Sequence, residues 1–155
     1  MLNPSRFFIC DPKISVPAGV EVVWIIITPK SLPKWAKVKR ICLASIYISP
    51  RSKYKSQTIE HIIESIHAIR TTYDNEISFC LGGDFNKYPI EDILDCLGSL
   101  QSIQVEHTRK NEILDLVITD MHTSYLPSTT IAPLGVDSDK KDVPSDHRII
   151  IFPPE

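Results

Sequence analysis

The chain has 155 residues, 43% hydrophobic and 23% charged, with a net charge of −2. That is the balance of one globular domain and argues against a generic nucleic-acid coat. Its longest apolar stretch, Val20 to Thr28, falls well short of the ~20 residues a membrane-spanning helix needs, and the first residues show no secretory pattern.

Residues 1–19 are rich in Pro and Ser, lack periodicity and read as an irregular segment, with the domain proper over 20–155. Glu21 to Thr28 reads as a strand, rich in β-branched residues and ended by Pro29. Ser31 to Lys39 reads as a basic loop and Arg40 to Ile48 as a second strand, so the two strands fit an antiparallel pair. Gln57 to Tyr73 is the clearest helix: Ile59, Ile62, Ile63, Ile66, Ile69 and Tyr73 share one face. Ser56 reads as its N-cap, Glu60 as a first-turn acid and Asp74-Asn75 as its stop. Ile77 to Leu81 reads as a short buried strand leading into a Gly82-Gly83 turn, and Ile90 to Leu97 as a short helix stopped by Gly98. Strands are expected at Ile113 to Thr119, Thr129 to Leu134 and Arg148 to Phe152. Strands outnumber helices, and helices fall between strand pairs, so the expected class is α+β.

Four widely spaced cysteines (Cys10, Cys42, Cys80, Cys96) form no CxxC and read as free thiols. Charge is unevenly spread. From Lys30 to Lys55 there are eight basic residues and no acidic one, whereas Ser56 to Glu155 holds 7 basic against 17 acidic residues, a net of −10. A basic segment suits a phosphate backbone, and an acidic cluster suits a cation. An ordinary solvated loop gives the same pattern.

Three motifs carry candidate chemistry: Gly82-Gly83-Asp84-Phe85-Asn86, Ile113-Leu114-Asp115-Leu116-Val117-Ile118 and Ser145-Asp146-His147. In an extended chain Asp84 and Asn86 point to one side and Phe85 to the other. The same residues also read as a glycine turn with Asx capping. Asp115 lies between leucines, where an unpaired carboxylate is costly, so it needs a partner unless it sits at a strand edge. His147 has an acid before it and a strand after it, and suits general acid/base work once a partner fixes its tautomer. Asp115 is the best candidate for that partner. Tyr47 shares a strand face with Ser45 and Ser49. His61 and His67 lie six apart on the helix, the wrong spacing for a shared metal. His107 and His122 fall in loops.

In order and spacing the three motifs resemble the endonuclease/exonuclease/phosphatase superfamily, which includes deoxyribonuclease I and the abasic-site endonucleases. The closest similarity is to the endonuclease domain of LINE-type retrotransposons, where a GDFN motif, an LDL-type strand and a terminal SDH recur. The resemblance runs from about Val20 to Phe152 and is specific for the three motifs together.

It implies a deoxyribonuclease I-like, partial four-layer α/β/β/α sandwich and Mg²⁺-dependent phosphodiester hydrolysis of DNA. By the same resemblance Asp84 activates the attacking water, Asn86 and Tyr47 bind the phosphate, and His147 acts on the transition state with Asp115 as its orienter. Asp146 lies near the metal, and Thr108 and Arg109 form a substrate-contact loop. Mg²⁺ is the implied ion, a hard cation that keeps several waters and binds phosphate through oxygen. DNA is the implied partner, with no membrane and no obligate protein partner, in an intracellular setting that includes the nucleus.

Complete members open with strands bearing an Asn and the principal metal-ligand Glu, and neither has a counterpart here. Glu21 stands on a strand matching a later part of the fold and is not assigned as that Glu. The match is therefore expected to cover the C-terminal two-thirds or so of a domain, leaving apolar sheet surface exposed and metal affinity weak. Two other functions fit the same residues. One is a phosphoesterase of the superfamily acting on inositol phosphates or lipids such as sphingomyelin. The other is a catalytically dead remnant that binds nucleic acid.

Overall fold

The computed structural model describes residues 6–32, 36–98, 107–109, 111–121, 128–131 and 147–151. The described elements are β1 (Phe7–Cys10), β2 (Glu21–Pro29), β3 (Arg40–Tyr47), α1 (Lys55–Thr72), β4 (Ile77–Asp84), α2 (Glu91–Leu97), β5 (Asp115–Thr119), β6 (Thr129–Ile131) and β7 (Ile149–Ile151). β1 to β5 form one sheet in that spatial order. Its neighbours run antiparallel except β3 and β4, which are parallel. Parallel neighbours need a long crossover, and the 18-residue α1 supplies it.

Alternation along the strands builds the core on one face of this sheet. Val22, Trp24 and Ile26 of β2, Cys42, Ala44 and Ile46 of β3, and Phe79 and Leu81 of β4 are buried there with Ile118 of β5. They form one cluster with Ile59, Ile62, Ile66 and Ile69 of α1 and Ile93 and Leu97 of α2. The isoleucine spacing in α1 gives the helix one apolar stripe, and each isoleucine it buries contributes roughly 1.5–3 kcal/mol. Arg70 ties α1 to its surroundings. Its guanidinium donates to the Cys96 carbonyl at the end of α2 (2.6 Å) and lies 3.6 Å from the Asp120 carboxylate after β5.

Several sequence expectations are corrected. Phe7–Cys10 is a strand, antiparallel to β2, although it lies in the segment expected to be irregular. Helix α1 begins at Lys55 with Tyr54 at the N-cap, so Ser56 does not cap it and Glu60 falls beyond the first turn. The Ser56 hydroxyl instead meets the Tyr88 hydroxyl at 3.1 Å. β4 continues through Gly82-Gly83 to Asp84, so the glycines lie in a strand and not in a turn. The stops of both helices are as expected. Asp74 and Asn75 take positive φ of 50° and 59°, and Gly98 closes α2 in the left-handed region.

β6 and β7 pair antiparallel in a second, two-stranded sheet. Residues 132–134, expected to extend β6, and 152, expected to extend β7, lie outside the described residues, as does His122. The described residues thus comprise α1 and α2, a five-stranded sheet and a two-stranded sheet. No helix among the described residues is long and apolar enough to cross a membrane.

Candidate active site

Register places four polar side chains in one row. Glu21 opposes Tyr47 across β2 and β3, Tyr47 opposes Asp84 across β3 and β4, and Asp84 opposes Asp115 across β4 and β5. Directly opposed residues share a sheet face. This is the face that α1 and α2 do not cover, because Trp24, Ile46 and Leu81, on the other phase of the alternation, belong to the helix-side core.

Gly83 makes the Tyr47–Asp84 junction tight. It opposes Ile46 with φ 153°, and a methyl there would overlap the Ile46 carbonyl oxygen. Beyond it, Phe85 turns into the core, fully buried, and its N–H donates to the Leu114 carbonyl (2.9 Å). Asn86 and Lys87 follow with positive φ of 46° and 61°, a turn and not the extended run that the spacing of Asp84 and Asn86 suggests. The Asn86 backbone N–H donates to Asp84 Oδ1 (3.0 Å), and its side-chain Nδ2 donates to the Ile48 carbonyl (3.1 Å). Asn86 therefore clamps the end of β3 to the end of β4, next to Tyr47 and Asp84. An amide nitrogen carries two N–H groups, so one remains for a ligand.

His147 stands between the two aspartates. Its Nδ1 lies 2.8 Å from Asp115 Oδ2, and its Nε2 lies 3.9 Å from Asp84 Oδ2. A carboxylate only accepts, so Nδ1 carries the proton toward Asp115 and Nε2 faces Asp84. All three side chains are partly buried, which strengthens these contacts relative to a fully solvated pair. Asp115 is the first residue of β5, not its middle. That edge position lets its carboxylate reach His147 while Val117 and Ile118 stay buried.

A turn beside Asp115 completes the surroundings. The Thr108 N–H and Arg109 N–H both donate to the Glu112 carbonyl, at 3.0 Å and 3.1 Å. The Glu112 carboxylate pairs with Lys87 at 2.5 Å, linking this turn to the turn after Asp84. Thr108 is fully buried, whereas Arg109 is half-buried. Asp146 lies outside the described residues.

The structure thus brings Tyr47, Asp84, Asn86, Asp115 and His147 to one end of the sheet. Sequence reasoning passed over Glu21 as a site neighbour, because its place in the row depends on register. It also missed the Lys87–Glu112 pair, because nothing in the sequence sets that turn beside Asp84. The ligand atoms of Asp84, Asp115 and His147 all lie within 4.8 Å of one another, close enough for one cation. The carboxylates suit a hard ion, whereas imidazole suits a softer metal. With Nδ1 committed to Asp115, Nε2 is the ring nitrogen left to handle a proton or meet a cation.

A mixed five-stranded sheet with helices packed on one face, and this site at one end, is an α+β fold of the deoxyribonuclease I-like kind. Among solved structures the chain is similar to the human Nocturnin catalytic domain with bound sulfate anion, with TM-score 0.53 and 14% identity over 96% of this chain. The match covers 61% of that domain's length, and at such identity it is a likeness of fold. No family model matches the chain, and no curated protein does.

Proposed function

We propose that the chain is a divalent-cation-dependent phosphodiesterase acting on DNA, of the retrotransposon endonuclease type. The observation that carries this reading is His147, held between Asp115 at 2.8 Å and Asp84 at 3.9 Å. The arrangement follows triad logic: one acid fixes the imidazole while its other nitrogen faces the reacting groups.

Asp84 orients the attacking water and takes its proton. Asn86 and Tyr47 bind phosphate oxygens, and Tyr47, 42% exposed, is open to a substrate. Entering the step protonated on both nitrogens, His147 would donate its Nε2 proton toward the phosphorane oxygens or the leaving group and keep its Nδ1 proton on Asp115, which holds its orientation. Mg²⁺ would be held near Asp146 and would polarise the phosphate. Arg109 extends the contact along the backbone. On this reading the protein works inside the cell, with the nucleus as one compartment that holds its substrate.

Nicking of supercoiled plasmid by the purified chain tests this, with Mg²⁺, with EDTA and with His147→Ala. The expected outcome is nicking that needs Mg²⁺ and falls at least ~100-fold in the variant. Salt-sensitive DNA binding by a folded chain that never nicks would replace the enzyme with a binding remnant. Cleavage of inositol phosphates in place of plasmid would move the substrate class and keep the site.

A further inference from the structure

Thr108 makes more bonds around the site than any sequence pattern suggests. It is 0% exposed. Its Oγ1 accepts from the Leu114 N–H and the Asp115 N–H, each at 3.0 Å. Its carbonyl accepts from the Arg148 N–H at 2.7 Å, and its own N–H donates to the Glu112 carbonyl at 3.0 Å. One residue therefore grips the backbone of Asp115, the backbone one residue after His147, and the turn whose Glu112 pairs with Lys87.

We infer that Thr108 is a positioning residue that holds Asp115 and His147 in register with each other. Asp115 belongs to the five-stranded sheet, and His147 leads into the two-stranded one. Their 2.8 Å contact joins two sheets and is only as well defined as the backbone on either side of it. Thr108 fixes both sides, with its hydroxyl on one and its carbonyl on the other. It acts through Asp115 and His147 and does not touch substrate. The hydroxyl is required because the buried Leu114 N–H and the partly buried Asp115 N–H both depend on it, and a buried donor without an acceptor drives the backbone to move. A displacement of about 1 Å at such a pair costs on the order of 100-fold in rate. This inference deepens the phosphodiesterase reading and rests on it for the kinetic part of its test.

The test compares Thr108→Val, which removes the hydroxyl at similar size, with Thr108→Ser, which keeps it. Folding is followed by circular dichroism and the His147 Nδ1–H by its low-field proton resonance. Thr108→Val is expected to lose at least ~30-fold in kcat with KM within about twofold, and to lose the resonance. Thr108→Ser is expected to keep the resonance and stay within about threefold of the parent.

A folded Val variant that retains both kcat and the resonance overturns the proposal. So does a raised KM at unchanged kcat, which would make Thr108 a substrate contact. If the parent chain hydrolyses nothing, the function reading falls and the resonance alone decides: kept in the Val variant, it sinks the positioning role. Should the Val variant not fold, amide exchange of Asp115 in the parent decides. Protection supports the Thr108 bond, and exchange at the rate of a free amide overturns it.

Discussion

His61 lies on α1 facing the sheet, 6% exposed, with its ring edge-on to Trp24 at 6.4 Å between centroids. Burial pushes its pKa below the ordinary 6.5, and Glu64 opposes the shift without reversing it. The sign follows from linkage. The unfolded chain takes up a proton near pH 6.5 that the folded chain resists, so this histidine favours folding above that pH and the contribution is lost as pH falls through it. The urea midpoint is therefore expected to drop between pH 7.5 and 5.5, and His61→Leu is expected to flatten that slope. An unchanged slope in the variant would assign the acid sensitivity elsewhere. The buried thiols behave differently from the imidazoles. Burial pushes Cys42 up to about 12 and Cys80 up to about 11, so both stay protonated and inert at neutral pH.

At the scale of the element, β4 delivers the site through two glycines with different jobs. A methyl on Gly82 would meet only the Leu116 carbonyl oxygen at 3.9 Å, an ordinary contact, whereas one on Gly83 would overlap the Ile46 carbonyl. Gly83→Ala is thus expected to cost about 3 kcal/mol and Gly82→Ala within about 1 kcal/mol, measured by urea unfolding. Equal costs would mean that β3 and β4 are not forced together at that point. This distinction was not legible in the sequence, where the pair read as a turn, because close approach depends on which strand lies opposite. The isoleucine stripe of α1 was legible because helical periodicity is local. β1 was not, since a short run such as Phe7-Phe8-Ile9-Cys10 becomes a strand only by pairing with β2 from Pro29 back to Ile26. The same divide runs through the site. Asp84, Asp115 and His147 announced themselves as polar residues on apolar runs, whereas the placement of Glu21 and the anchoring by Thr108 come from register and burial.

For the whole molecule, the basic segment from Lys30 to Lys55 is divided by β3 itself. Its eight residues, at ~3.3 Å each, put about 25 Å between the two ends. At the far end Lys39 and Arg40 are committed to Glu76, at 2.5 Å and 3.9 Å, and Lys30 sits over the Phe8 ring. At the near end, just past Tyr47, Lys55 donates to the Pro50 carbonyl (2.7 Å), Lys53 lies over the Tyr54 ring, and Arg51 is exposed. A duplex engaged at Asp84 and His147 would meet the near cluster and not the far one. Each phosphate neutralised adds about 0.9 to the slope of log affinity against log salt. Arg51→Gln with Lys53→Gln should therefore lower that slope by about 1.8, and Lys30→Gln with Lys37→Gln by less than about 0.5. Fluorescence anisotropy of a labelled duplex between about 50 and 200 mM salt reads the difference. Both pairs remove the same charge, so a long-range field would weaken binding equally in the two variants. Equal loss would mean that DNA responds to net charge and not to a track beside Tyr47; loss confined to the near pair would place the phosphate backbone along the β3–α1 loop.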